Sequence, residues 1–178
     1  KKNIIMNLKK VAKKMNVKNN HLILMYQTHS NKVTEIKKNN YKKKIHADAM
    51  VTKMRGIALG VVTADCVPIL IYDRKNKIIG CIHAGWRGAI SGVIKNTILK
   101  IRKLNSNNKI YATIGPCIGK ESYEVDLKFF KNFVKKSKKN KKFFTIKNRN
   151  KKLFNLREYV AKKLTEQNVV IDHVNHDT

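Results

Sequence analysis

The stretch TADCVPILIYDRKNKIIGCIHAGWRG, residues 63–88, decides the fold of this chain. VPILIY and KIIGCIHA are apolar runs of strand length, and the turn DRKN between them predicts two adjacent antiparallel strands. In such a return, the residue that enters the first strand lies beside the residue that leaves the second. Cys66 and His83 hold those two positions. The sequence therefore predicts that a thiol and an imidazole meet at one edge of a sheet.

A third metal-ligand candidate, His29, follows a short apolar run in LILMYQTHSNKV, residues 22–33. Two imidazoles and a thiolate leave a fourth position open around a tetrahedral zinc ion, which a catalytic zinc needs. The intervals, 37 residues from His29 to Cys66 and 17 from Cys66 to His83, fit no compact zinc-finger pattern. Only a folded sheet could unite these residues. The alternative is that Cys66 packs as a small buried side chain while the histidines make local hydrogen bonds.

The composition fits one domain. With 178 residues and 42% hydrophobic content, the chain can bury one substantial core and is too short to suggest two. No apolar run approaches the roughly 20 residues that cross a bilayer, so we expect a soluble protein with no membrane partner. The three cysteines, an odd number in apolar or glycine-bounded segments, argue against a disulfide framework and for the cytoplasm.

The formal net charge of +29 invites a nucleic-acid interpretation, because lysines neutralise phosphates and release counterions. Lysine is spread over the whole chain together with asparagine, however, and both have A-rich codons, so a biased genome composition accounts for it. Arginine, the better reader of base edges, is scarce beside lysine. We therefore expect no specific nucleic-acid recognition, but weak, salt-sensitive polyanion binding and attraction of anionic substrates.

The apolar pattern predicts helices on both sides of a β-rich middle, an α/β arrangement. The predicted elements are a first amphipathic helix over 5–15, short strands within 22–84, a helical stripe over 90–104, a buried strand in 110–119, helices over 126–134 and 153–164, and a terminal strand in 168–174. We expect Gly85 and Gly88 to bracket a tight strand-to-helix turn, and Asp126 to cap a helix. The lysine-rich segment 135–152 is predicted to be a mobile surface connection.

Six motifs occur here in the order found in one protein family. They are QTHS (27–30), ADAMVT (47–52), TADCVPILIYD (63–73), HAGWRG (83–88), IGPCIG (114–119) and YEVD (123–126). In these motifs the chain resembles the YfiH-like, or laccase-domain, family. The resemblance implies a single laccase-type α+β domain over residues 1–178, truncated at both ends, with mixed β-sheets sandwiched between helices in four layers.

The same resemblance implies an activity and a metal site. Proteins of this family were first called polyphenol oxidases and were later assigned purine nucleoside phosphorylase and adenosine deaminase activities. The resemblance therefore implies purine nucleosides and phosphate as substrates, and zinc as the cofactor with copper as the other candidate ion. The family's His, Cys and His metal ligands fall on His29, Cys66 and His83.

Two further residues are candidates for catalysis. Arg87 precedes a helix and could bind a phosphate through its forked guanidinium, although surface capping is an equal alternative. Asp65 could orient a ligand or carry a proton, although a structural role in a turn is at least as well supported. Asp48 has a similar ambiguity, and its simplest role is a hydrogen bond to nearby backbone. Cys81 shares a strand face with His83 but ranks behind Cys66 as a ligand.

Three other functions stay open at this point. Cys66 and His83 could form the nucleophile and base of a cysteine hydrolase or deamidase, in which His29 would be unnecessary. A copper polyphenol oxidoreductase ranks low, because the chain lacks the histidine clusters and the axial Met of copper electron-transfer sites. A polyanion-binding module without enzymatic activity would bind nucleic acid in a salt-dependent way that changes at the three ligands do not affect.

Overall fold

The computed structural model describes residues 2–104 and 108–178, in which a first helix is followed by seven strands and then by a mixture of helices and strands. The helices are α1 (Lys2–Lys14), α2 (Trp86–Ser91), α3 (Val93–Lys103), α4 (Leu127–Lys136) and α5 (Leu156–Thr165), with 3-10 turns at Asn19–His21 and Lys138–Phe143. The strands are β1 (Leu22–Tyr26), β2 (Val33–Glu35), β3 (Ile45–His46), β4 (Ala49–Thr52), β5 (Ala58–Gly60), β6 (Val67–Asp73), β7 (Ile78–Ala84), β8 (Ile110–Ile114), β9 (Glu124–Asp126), β10 (Phe144–Ile146), β11 (Lys151–Phe154) and β12 (Val169–His173). The prediction of a mixed α+β fold is confirmed.

The two strands of the 63–88 stretch form the centre of a six-stranded mixed sheet with the order β12-β8-β6-β7-β4-β2. β6 and β7 pair antiparallel, as predicted, with Val67 opposite Ala84 and Pro68 opposite His83. Because Cys66 immediately precedes Val67, this register places Cys66 at the same sheet edge as His83. β12 pairs parallel with β8, and β2 pairs parallel with β4, so the outermost pair on each side is parallel whereas β8, β6, β7 and β4 pair antiparallel.

Side-chain alternation along β7 divides the core into two apolar clusters on opposite faces of the sheet. Ile78 and Ile82 pack into the cluster that includes residues of α3 and α5, whereas Cys81 packs into the cluster beneath the small parallel sheet β3-β1-β5. Helices α3 and α5, the central sheet and the small sheet thus form three stacked layers of the four that the resemblance implies.

The helical stripe predicted over 90–104 is two helices instead of one. Gly92 has a positive φ of 97° and closes α2 by donating its N–H to the carbonyls of Gly88 and Ala89, and α3 begins directly after it. A residue in this left-handed conformation interrupts the helix, and glycine adopts it at the least cost. The buried face continues across the break, because Ala89, Val93 and Ile94 all enter the same core cluster.

The segment 135–152 is not a mobile connection, and that prediction is wrong. It contains the second 3-10 turn and strand β10, and it leads into β11, which completes a third sheet with the order β10-β11-β9. Two aromatic residues explain why this segment is structured. Phe143 and Phe154 are buried, and the ring of each packs edge-on or tilted against Tyr159 of α5. The high lysine content obscured the aromatic residues that anchor the segment.

The predicted first helix is α1, and the predicted terminal strand is β12. Asp126 caps α4, as expected, by accepting the backbone N–H of Phe129 at 2.7 Å. Within residues 2–104 and 108–178, no helix combines the length and the hydropathy that crossing a membrane would require.

Candidate metal centre

The three predicted ligands converge on one point. The ligand atoms of His29, Cys66 and His83 all lie within 4.8 Å of one another, and Sγ of Cys66 is 3.7 Å from Nε2 of His29. A tetrahedral zinc ion with Zn–S near 2.3 Å and Zn–N near 2.0 Å separates its sulfur and nitrogen ligands by about 3.6 Å. The donor set and this spacing therefore fit a zinc ion.

Three separate elements bring the ligands together. His29 lies in the loop between β1 and β2, Cys66 immediately precedes β6, and His83 is the penultimate residue of β7. His83 is buried with 3% of its surface exposed, Cys66 is half-buried and His29 is exposed. The centre is thus anchored in the core on the His83 side and open to solvent on the His29 side, where a substrate can approach.

Asp48 orients the ring of His83 and holds the backbone of the loop that carries His29. Its fully buried carboxylate lies 2.9 Å from Nδ1 of His83, so Nδ1–H donates to Asp48 and Nε2 is left free to bind a metal ion. The same carboxylate accepts the backbone N–H of His29 at 2.9 Å and both the N–H and the hydroxyl of Ser30 at 2.6 Å. Asp48 therefore joins the loop that carries one ligand to the strand that carries another.

These hydrogen bonds also set the charge of Asp48. Burial by itself raises the pKa of the carboxyl group, but the hydrogen bonds from His83, Ser30 and Thr28 outweigh it and lower the pKa to about 2. The carboxylate is ionised at neutral pH and increases the basicity of His83 as a ligand.

Sequence reasoning missed this role. Asp48 was expected to bond to nearby backbone, but its partners in the loop, Thr28 to Ser30, lie 18 to 20 residues upstream. A signal was available, because Asp48 stands between Ala47 and Ala49 in an apolar segment, and a carboxylate is rarely buried without partners. Only the pairing of distant strands identifies those partners.

Gly85 provides the space in which the ligands meet. A Cβ atom at this position would lie 2.8 Å from Cδ2 of His29 and 2.9 Å from Sγ of Cys66. Its φ of −68° is available to any residue, so glycine is required here for close approach and not for a tight turn. Gly88 serves similarly, since a Cβ there would lie 2.9 Å from the carbonyl oxygen of Ser30. The predicted strand-to-helix turn is present at Gly85, between β7 and α2, but Gly88 lies within α2, and glycine is needed at both positions for space.

The surroundings of Cys66 favour the protonated thiol unless a cation is bound to it. Burial raises its pKa, and the neighbouring Asp65, Asp48 and Cys117 raise it further. A thiol held protonated is a poor nucleophile, which counts against the cysteine hydrolase hypothesis. The ring nitrogen within hydrogen-bonding distance of Cys66 Sγ also belongs to His29, and the cysteine hydrolase hypothesis gives His29 no role. A bound metal ion would lower the pKa of the Cys66 thiol, because it stabilises the thiolate.

The other cysteines have structural positions. Cys81 is fully buried in the core cluster beneath the small sheet, and burial raises the pKa of its thiol to about 12. Its ranking behind Cys66 agrees with this position. Cys117 is buried as well, and Cys66, Cys81 and Cys117 are all unpaired with one another.

The two predicted catalytic residues flank the centre on the surface. Arg87 is exposed on α2, and its guanidinium carbon lies 5.2 Å from the ring centroid of Trp86. Trp86 itself packs on Phe129 with ring centroids 4.9 Å apart, so it serves as a packing anchor. Asp65 is exposed beside Cys66, and its Oδ1 accepts the hydroxyl of Thr178 at 3.3 Å.

Arg157, which sequence reasoning did not single out, braces the loop next to the centre. From α5 it donates Nε–H to Sγ of Cys117 at 3.3 Å and Nη2–H to the Cys117 carbonyl at 3.2 Å, and it also donates to the carbonyl of His176. The adjacent Ile118 donates its N–H to the carbonyl of Asp65 at 3.0 Å. The C-terminal residues are thereby tied to the segment that carries Cys66.

Comparison with known proteins identifies the family. The model of the family described as multi-copper polyphenol oxidoreductase laccase matches residues 1–178. The chain belongs to this family. The resemblance drawn from the six motifs is therefore confirmed. The solved structure of the hypothetical protein YfiH from Bacillus licheniformis superposes with a TM-score of 0.90 at 25% identity, covering 98% of this chain and 70% of that one.

Two curated relatives carry names for activities on purine nucleosides. "Purine nucleoside phosphorylase RP494" from Rickettsia prowazekii is 38% identical over 160 residues, which cover 88% of this chain and 65% of the relative. "Adenosine deaminase RL5" from an unknown prokaryotic organism is 39% identical over 79 residues, 44% of this chain and 30% of the relative. The chain thus spans about two thirds or less of the length of these laccase-family relatives.

Proposed function

We propose that this chain carries the metal centre of a zinc-dependent enzyme that phosphorolyses purine nucleosides and deaminates adenosine. The observation that carries the proposal is the convergence of His29, Cys66 and His83, with His83 oriented by Asp48. The names of the phosphorylase and deaminase relatives supply the substrate class. Zinc, when bound, acts as a Lewis acid and lowers the pKa of a coordinated water.

The residues of the chain divide the remaining tasks. Asp48 holds the tautomer of His83 and keeps the loop of His29 in place, so the three donors are preorganised before any ion arrives. Gly85 keeps the approach between His29 and Cys66 clear. The exposure of His29 leaves one side of the centre accessible to a nucleoside.

Arg87 and Asp65 serve as the catalytic groups in this proposal. Arg87 binds phosphate, because its guanidinium is always charged and presents paired donors to phosphate oxygens. Asp65 carries protons, accepting one from the attacking group and delivering one to the leaving nitrogen. Its exposed carboxylate stands next to the Cys66 ligand, which is the position such a shuttle needs. The net charge of +29 draws anionic phosphate toward the surface.

Turnover measurements test the proposal. Metal-free protein is reconstituted with Zn²⁺ and incubated with adenosine or inosine, with and without phosphate, and the products are separated chromatographically. We expect inosine from adenosine, and free purine base only when phosphate is present. His29→Ala should abolish both activities together with zinc binding, and His173→Ala, at an exposed histidine of β12, should retain them. Absence of both products from zinc-loaded protein would reject the proposal.

Elemental analysis addresses the identity of the ion. Protein prepared without added metal should contain about one zinc per chain, and a Cys66→Ala variant should contain almost none. Copper in place of zinc would redirect the proposal toward oxidation chemistry. Full turnover by His29→Ala, with Cys66 still reactive toward a thiol label, would instead favour the cysteine hydrolase.

A further inference from the structure

A groove on the surface of the third sheet combines aromatic rings with lysines. Its floor is Phe130 of α4 with Phe144 and Ile146 of β10. Its rim is a set of five lysines, Lys138, Lys139, Lys141, Lys142 and Lys152. The groove has a volume of about 580 Å³, and we call it the lysine groove. It contains none of the proposed metal-binding or catalytic residues.

The aromatic floor is rigid and partly open to solvent. The rings of Phe130 and Phe144 meet edge-to-face with centroids 5.1 Å apart. Phe144 is in turn stacked on the buried Phe154 at 4.6 Å, so the aromatic core of the sheet holds it in place. Ile146 extends the floor with 74% of its surface exposed. Contiguous exposed apolar surface with a polar rim is typical of interaction sites.

The rim is uniformly basic. Five of the eight described residues that line the groove are lysines and none is acidic. Nζ of Lys152 lies 4.7 Å from the centroid of the Phe130 ring, which places a cation directly against the floor. Glu124, on the neighbouring strand β9, is already paired with Lys147 at 2.6 Å and Lys151 at 3.2 Å. The lysine groove therefore presents positive charge around aromatic faces.

We propose that the lysine groove binds single-stranded nucleic acid without sequence preference. Phosphates along one strand match a row of lysines, and unpaired bases stack on partly exposed aromatic rings. A biased composition explains how many lysines the chain has, but not why five of them surround two phenyl rings in one concavity. The absence of arginine from the described rim matches backbone tracking instead of base reading. The aromatic, concave floor favours a base over a lipid chain.

Fluorescence anisotropy with a labelled 12-nucleotide oligo(dT) or oligo(U) tests the proposal as salt is increased. The groove variant replaces its five rim lysines by glutamine. The control replaces five lysines in or next to α1 by glutamine and so removes the same charge elsewhere on the surface. These lysines are Lys9, Lys10, Lys13, Lys14 and Lys18. We expect the groove variant to bind at least tenfold more weakly than the control. Its salt slope should fall by up to about 3.5, from about 0.7 for each lost phosphate contact.

A second variant tests the aromatic floor at constant charge. Phe130→Leu should weaken oligonucleotide binding about tenfold, because one stacking platform is lost. The far-ultraviolet circular dichroism and the zinc content of all variants should match those of the unchanged protein, since the metal centre is separate. Equal weakening in the groove and α1 variants would overturn the proposal, because it would reveal a diffuse electrostatic field. Loss of binding to anionic lipid vesicles in the groove variant, with oligonucleotide binding unchanged, would overturn it too and assign the groove to a membrane surface.

Discussion

Replacing Asp48 by asparagine tests whether this carboxylate organises the metal centre. Asparagine keeps the volume and one acceptor oxygen, but it exchanges the other oxygen for an N–H₂ donor. With the amide nitrogen at the Oδ2 position, the hydroxyl of Ser30 can turn, but the backbone N–H of Ser30 loses its acceptor. The remaining bonds, including the one from His83, become neutral instead of charge-assisted.

The expected effects follow from these losses. A lost bond to a charged group contributes about 2 kcal/mol, and weakening of the remaining bonds adds about 1 kcal/mol, so we expect Asp48→Asn to lower the free energy of unfolding by about 3 kcal/mol. Because the loop of His29 loses the bond at Ser30 and the ring of His83 keeps only a neutral hydrogen bond, zinc affinity should fall by about tenfold or more. Urea unfolding in chelator measures the first quantity, and competition for Zn²⁺ against a chromophoric chelator measures the second.

A control separates positioning from general destabilisation. Asp73 is another fully buried carboxylate, at the end of β6, and it accepts the backbone N–H and the side-chain amide of Asn76 at 3.1 and 2.8 Å. Asp73→Asn should therefore also lower stability but leave zinc affinity unchanged. If Asp48→Asn bound zinc as tightly as the unchanged protein, or if Asp73→Asn lost the same affinity, the positioning role would be refuted.

Three further outcomes are expected. Gly85→Ala should lose zinc binding, because the added Cβ would press on His29 and Cys66. At the control position Gly92 an added Cβ meets no atom within 4 Å, so Gly92→Ala should keep its zinc affinity and lose only stability, through the positive φ. Isothermal titration with Zn²⁺ distinguishes the two variants. The pKa of Asp48 is lowered from 3.8 to about 2, so the ionised carboxylate stabilises the folded state by about 2 kcal/mol above about pH 4. This contribution should be lost as the pH falls toward 2. The urea midpoint of the metal-free protein should show the decline, and that of Asp48→Asn should not. Removal of the α4 cap by Asp126→Ala should cost about 1 kcal/mol in the same assay, and no change would contradict the capping bond.

The two apolar runs of the 63–88 stretch and the polar turn between them predicted the central strands and their antiparallel return. A run of strand length bounded by a turn is a local pattern, so a short stretch of sequence carries that information. The adjacency of Cys66 and His83 followed from the return, because a short turn leaves little freedom in the register. The inclusion of His29 depended on the resemblance to the family, since its loop reaches the sheet from a different strand.

Predictions failed where long-range packing outweighs local composition. The lysines of 135–152 indicated a solvated connection, but burial of Phe143 and Phe154 against α5 orders the segment. The apolar stripe after residue 88 indicated one helix, and the backbone conformation of Gly92 divides it. Neither outcome can be read from a short window of residues.

By itself, the sequence determined the first helix, the β-rich middle, the central strand pair and the chemical identity of the three candidate donors. Only the tertiary structure decided that Asp48 binds a loop 18 to 20 residues away, that Gly85 is required for space, and that lysines gather around Phe130 and Phe144. The physical reason is that secondary structure depends on short-range periodicity, whereas a site depends on which strands become neighbours. That choice is made by burial of the whole core.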